Sequence, residues 1–281
     1  MSVASLARLL LLCPLWLATQ PAYAAVTVLY DHALGGTPTA QGWLAGARTG
    51  GSETVTPVGT LLDTTAANSI YAGYSNYDFG IQIAPPDVFP TSFKNPLFPV
   101  LDRAAGFTLT ITVQLGGLVN DGPNGPNRGG FNVTLLGADR EGIEIGFQPG
   151  RIFAQDGVPF VAGETTASAG QNPASLDVPA LMAAMTTYDL TIHGERYTLA
   201  TAGQSLLAGD VRDYTSASGF GTSVYRTGSF LFVGDDTTSA RGQLLLRNVV
   251  LAMPVPEPGT LLLFLLGIAL LALWRQRATW H

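Results

Sequence analysis

Phe107-Thr108-Leu109-Thr110-Ile111-Thr112-Val113-Gln114-Leu115 alternates apolar and polar residues without a break. An extended strand turns successive side chains to opposite faces, so this period of two gathers Phe107, Leu109, Ile111, Val113 and Leu115 on one side and leaves the threonines and Gln114 in water. A helix, repeating every 3.6 residues, cannot separate them that way. The same alternation recurs in Phe131-Val133-Leu135, Ile143-Ile145-Phe147 and Tyr188-Leu190-Ile192. Shorter β-rich runs lie at 26–30, 151–154, 196–200, 229–233 and 243–253, with Gly, Asn, Asp and Pro between them as turns require. One short helix is expected over 178–186, where Leu181, Met182 and Met185 follow Pro179 in the first turn. Ten or more strands in about 230 residues read as one all-β domain over 25–253, a two-sheet antiparallel sandwich or jelly roll. No internal repeat or long internal linker interrupts it. Residues 120–130, NDGPNGPNRGG, are expected as a surface loop, and 250–258 as an exit linker.

Of 281 residues, 47% are hydrophobic and only 12% charged, and the chain has one Cys. Charged residues are about half as frequent as in ordinary globular domains, which excludes a disordered acidic tail or a coiled coil. The formal charge is −6, and setting aside Arg8, Glu257, Arg275 and Arg277 in the terminal segments takes it to about −8 for the body, where Lys94 is the sole lysine. Such a surface excludes nucleic acid as a partner, which needs basic patches, and disfavours anionic polysaccharide, but not a neutral glycan.

Both ends carry address signals. Arg8, the apolar stretch Leu9–Leu17 and Ala22-Tyr23-Ala24 form the three parts of a secretory signal peptide over 1–24, for delivery to the secretion machinery and signal peptidase. The apolar stretch rises about 15 Å as a helix, half of a bilayer core, so it does not span. Cys13 lies within it and lacks the small residue that precedes a lipidated cysteine; cleavage leaves a body without cysteine. At the other end Pro256-Glu257-Pro258 precedes an uncharged apolar run, Leu261 to Trp274, followed by Arg275-Gln276-Arg277. The prolines stop any helix from the body, and the arginines would hold their end in the cytoplasm, with the body outside. The run is expected as a short transmembrane helix.

This order of parts resembles the PEP-CTERM sorting signal of Gram-negative bacteria that make extracellular polysaccharide. The resemblance implies that Pro256, Glu257 and Pro258 are read by an exosortase, a membrane cysteine transpeptidase that removes the helix, with Arg275 and Arg277 as cytoplasmic retention residues. The inner membrane would then hold the protein transiently, before release to the cell surface or matrix. The body, through LGGTPTAQGWL (34–44), NSIYAGYSNY (68–77), RGGFNVTLLGADREGIEIGF (128–147), YDLTIHGERYTL (188–199) and FLFVGDDTTSARGQLLLRNVVL (230–251), is similar to the choice-of-anchor family, type Y. That likeness implies a bacterial surface protein with a concanavalin-like, laminin-G-like sandwich, and brings no catalytic residue.

Within the body three places invite chemistry. Glu141 and Glu144 are the nearest approach to a glycosidase carboxylate pair, but three residues apart they point to opposite faces of a strand, with Glu144 expected on the solvent side of Ile143, Ile145 and Phe147. Asp235 and Asp236, in a turn, either supply oxygens to Ca²⁺ or hydrogen-bond their own backbone in a hairpin; Asp121, Asn124 and Asp156 are the loop residues that would complete a calcium site. Trp43, Tyr71, Tyr74, Tyr77 and Phe79 form the densest aromatic region and either pack in the core or stack on sugar rings. His32 and His193 have no partner at ligand spacing, and no other cofactor is expected. The sequence therefore points to a non-enzymatic structural or adhesive sandwich, with a lectin-like glycan-binding module as the alternative and a carbohydrase as the least favoured reading.

Overall fold

The computed structural model describes residues 24–84, 87–166, 176–218, 222–254 and 267–268. Val26–Met253 is one compact unit. The first 23 residues of the expected signal peptide and nearly all of the tail, with Pro256, Glu257, Pro258, Arg275 and Arg277, lie outside the described residues. Among the described residues no helix is long and apolar enough to cross a membrane.

The first sheet takes strands β1 (Ala24–Asp31), β3 (Ser52–Val55), β4 (Thr60–Asp63), β8 (Phe107–Val119), β13 (Thr186–His193), β14 (Arg196–Thr201), β15 (Gln204–Asp210) and β18 (Arg241–Pro254), numbered along the chain. The second takes β2 (Ala45–Arg48), β5 (Ala72–Ser75), β9 (Phe131–Leu136), β10 (Glu141–Gln148), β11 (Arg151–Gln155), β12 (Ala162–Thr165), β16 (Arg212–Asp213) and β17 (Leu231–Asp235). β6 (Tyr77–Ala84) and β7 (Asp87–Phe93) pair as a separate hairpin. The first sheet runs β15-β14-β13-β8-β18-β4-β3 with β1 also on β18; the second runs β12-β11-β10-β9-β17-β5-β2 with β16 on β10. The expected all-β, two-sheet antiparallel sandwich is what the chain forms.

β8 lies inside its sheet and sets the register on both sides. Leu109 faces Leu190 of β13 and Leu251 of β18, and Ile111 faces Tyr188 and Val249, so apolar rows run unbroken across three strands. β18 keeps this row only because its register shifts between Leu246 and Asn248. Leu244 and Leu246 are buried before the shift, Val249 and Leu251 after it; without one extra residue, strict alternation would drive Asn248 inward. On the wet face Thr108 and Thr191 bond at 2.9 Å, Thr110 donates to Asp189 at 2.6 Å, and Thr112 and Thr187 bond at 2.9 Å.

The facing side of the second sheet supplies Phe131, Val133, Leu135, Ile143, Ile145, Phe147, Ile152, Leu231 and Val233 to the same core. Phe147 meets Tyr188 of the first sheet edge-on, with ring centroids 5.3 Å apart. Each such side chain contributes about 1.5–3 kcal/mol by leaving water. The expected helix forms as α1 (Val178–Ala183), capped by Asp177, which accepts from the Ala180 amide, and buries Val178 and Met182, but it stops short of 186: Ala184 is extended and Thr186 already opens β13.

The other side of the second sheet is not the wet face that alternation implies. Leu136, Tyr214, Ala217, Tyr225, Phe230 and Phe232 make a second core there, with Tyr77, Phe79, Phe160 and Val224 packed on it. Glu144, expected in solvent, is 1% exposed beneath this layer. The loop 120–130 is likewise only partly a surface loop, since Arg128, Gly129 and Gly130 turn inward.

Candidate functional site

Under that second layer lies a cluster of charged and amide groups that sequence reasoning did not bring together. β10 projects Glu144 outward between Thr134 of β9 and Gln155 of β11. Arg128, leaving the loop, places Nη1 3.7 Å from Glu144 Oε1 and Nη2 3.1 Å from Asp236 Oδ1. Its Nε donates to Thr237 Oγ1 at 3.0 Å, and its guanidinium sits 4.6 Å over the Phe160 ring. Asn132 Nδ2 donates to Asp236 at 2.7 Å. Tyr225, in the one-turn helix Ser223–Arg226, donates to Glu144 Oε2, and Gln155 donates to the Tyr225 hydroxyl at 2.8 Å. Burial, then the neighbouring Asp236 charge, pushes the Glu144 carboxyl up to about 7 against the pull of Arg128. Asp236, partly buried with 21% of its side chain exposed, is raised as well, against the pull of Arg128. Burial works against the charge of Arg128, yet the two carboxylates raise its pKa above the ordinary arginine value.

Asp235 and Asp236 do not open onto one cavity. Asp235 ends β17, is buried, accepts from Thr64 Oγ1 at 2.6 Å and from the Thr237 amide at 3.1 Å, and has its pKa raised well above the usual carboxylate range by burial. Asp236 turns to the opposite side, to Arg128 and Asn132. Asp121, one of the loop residues considered with them, instead binds Asn68 and Arg241. Among the described residues no group of three or more His, Cys, Asp or Glu side chains is placed to hold a metal ion.

The aromatic region is divided between the two cores. Tyr71 and Tyr74 are buried, Tyr74 in the main core with its hydroxyl donating to Glu53 at 2.7 Å. Tyr77 and Phe79 belong to the β6 strand and pack on the second core; Tyr77 lies 4.5 Å from the Phe93 ring. Trp43 is half-buried against the main core. Tyr71 and Tyr74 are thus interior residues and present no face to a sugar. Glu141 is held by Arg103 at 2.6 Å, away from Glu144.

β18 ends at Pro254, and the tail that begins there carries the chain's address. Residues 254–278 match the PEP-CTERM protein-sorting motif. The PEP-CTERM motif includes Pro256, Glu257 and Pro258 together with Arg275 and Arg277. It marks an exported Gram-negative protein for sorting by an exosortase. No curated protein matches the chain. Among solved structures, a carbohydrate esterase from the Shiga toxin-encoding bacteriophage phi24B aligns over 82% of this chain and 100% of its own at 12% identity, with a TM-score of 0.49. A Bacillus subtilis protein with a galectin-like fold aligns over 83% and 100% at 10% identity and TM-score 0.44. The exoplasmic/lumenal domain of VIP36, bound to Ca²⁺ and Man3GlcNAc, aligns over 83% and 90% at 10% identity and TM-score 0.42. None of these likenesses assigns a role to a residue of this chain.

Proposed function

We propose that this is a surface or extracellular-matrix protein of a Gram-negative bacterium, whose non-catalytic sandwich acts structurally or adhesively once an exosortase has detached its tail. The observation that carries the reading is the PEP-CTERM match starting at residue 254, where β18 ends. The signal-peptide pattern of residues 1–24 and the resemblance of the body to choice-of-anchor proteins of type Y support it. So does the engagement of the body's acids with arginines, hydroxyls and amides of the same chain. In this reading the apolar run 261–274 spans the inner membrane briefly, the arginines after it stay in the cytoplasm, and the body lies outside.

The test compares the full chain with a variant carrying P256A, E257A and P258A, in a host with its exosortase and in one lacking it. The wild type is expected in the surface or matrix fraction with the tail missing from its intact mass. The variant, and the wild type without exosortase, should stay in the inner membrane with the tail attached. Equal release of the variant overturns the reading. The glycan-binding alternative keeps Trp43 and Tyr77, which remain half-exposed. Retention of the full chain on a neutral glycan, lost on W43A, would replace the structural reading; Ca²⁺ dependence of that retention would return attention to Asp235 and Asp236.

A further inference from the structure

Glu144 is met by another element on every side. Thr134 of β9 lies 3.4 Å from it, Tyr225 donates to it from the turn above, and Arg128 and, across the same guanidinium, Asp236 approach from the loops beside β9 and β17. Tyr214, in ring contact with Tyr225 at 4.8 Å, completes the cover, and the buried Asp235, which burial holds toward its neutral form, lies next to Asp236 but turns to Thr64. The charges do not balance. Two carboxylates share one guanidinium, and Glu144 and Arg128 are 1% and 5% exposed. Asp236 keeps 21% of its side chain exposed but Glu144 is cut off from water, so ionising both acids leaves an uncompensated negative charge against a desolvated carboxylate, which is unfavourable. Two remedies exist: a proton, or water admitted by moving a covering element. The cover bonded directly to Glu144 is the Ser223–Arg226 turn, through Tyr225.

We propose that Glu144 and Asp236 hold one proton between them around Arg128, and that losing it loosens the Ser223–Arg226 turn from the outer face of the second sheet. The closed arrangement binds the proton more tightly than an opened, hydrated one, so by linkage each rise in pH shifts the turn toward opening. The turn then acts as a pH-sensitive latch over the glycine-lined face of β10. The inference stands apart from the sorting of the chain and does not depend on it.

Amide exchange of the full chain in detergent, at pH 5.5 and 7.5 and corrected for the intrinsic rate, tests this. The reporters are the Tyr225 amide, bonded to Thr222 O, and the Thr227 amide, bonded to Val224 O. Their protection should fall about tenfold per pH unit over which the proton is released, while central β8 amides such as Ile111 hold theirs. E144Q, which keeps the shape without the titrating group, should erase the pH step. Should E144Q not fold, D236N leaves one carboxylate against Arg128 and should erase it as well. Equal corrected protection at both pH values overturns the latch, as does a step that persists in a folded variant or a fall shared by β8.

Discussion

Arg128→Met removes the cation that the structure pairs with Glu144 and Asp236 while keeping a stem of similar length. It deletes the contacts to Asp236 at 3.1 Å, Thr237 at 3.0 Å and Glu144 at 3.7 Å, and the guanidinium face on Phe160. Removing one partner of a buried ion pair costs about 3–5 kcal/mol, and a desolvated cation–π contact adds on the order of 1–2 kcal/mol. Proton uptake offsets part of this, since Glu144 titrates near 7 already. The expected loss is therefore roughly 3 kcal/mol at pH 7 and less at pH 5. The sign follows from proton binding. Without the guanidinium both carboxyls are pushed further up, so the folded state binds more protons than the unfolded one from about pH 4.5 upward, and stability falls as pH rises through the raised value. Urea unfolding followed by tryptophan fluorescence at pH 5, 6 and 7 reads the effect; with a slope of about 2 kcal/mol per molar, the pH 7 midpoint drops by roughly 1.5 M. Adding E144Q and D236N to R128M should recover most of it. A loss under about 1 kcal/mol at pH 7, or a triple variant no more stable than R128M, refutes the assignment of Arg128 as the counter-charge.

Two further outcomes follow from close contacts. A Cβ on Gly146 would stand 2.2 Å from Phe153 Cζ, a ring that is itself buried, so G146A should cost about 1–3 kcal/mol in urea unfolding, whereas G157A, with open space around it, should stay within about 0.5 kcal/mol; equal effects would mean the ring moves freely. Because the oxygens of Asp235 and Asp236 already accept from Thr64, Thr237 and Asn132 and pair with Arg128, calcium in place of chelator should leave the melting temperature unchanged, and a rise of several degrees would show that the hairpin rearranges around the ion.

Strands β8, β9, β10 and β13 were legible because each alternates on one side of a deep core. Alternation reports which residues share a face, but not what covers that face. Glu144 reads as the solvent side of β10, and residues farther along the chain, Phe160, Tyr214 and Tyr225, close over it. Arg128 was hidden for a related reason: Gly and Pro in NDGPNGPNRGG announce a loop, while of the two carboxylates that draw the guanidinium inward Asp236 comes more than a hundred residues later and Glu144 reads as solvent-facing. The aromatic run from Tyr71 to Phe79 left core and surface open because it is split between β5 and the β6–β7 hairpin, a break that no local pattern announces. The tail was readable locally because its message is the order of its parts along the chain, needing no tertiary partner.

β18 has a mechanical consequence. A pull on the C-terminus enters the sandwich along a 14-residue strand clasped by β8 on one side and by β4 and β1 on the other. Load along such a strand acts on its ladder bonds in shear, many together, instead of peeling them singly from an edge. The sandwich is thus built to bear tension at the end where its sorting signal begins, and its first sheet is complete only once that final strand has inserted between its neighbours.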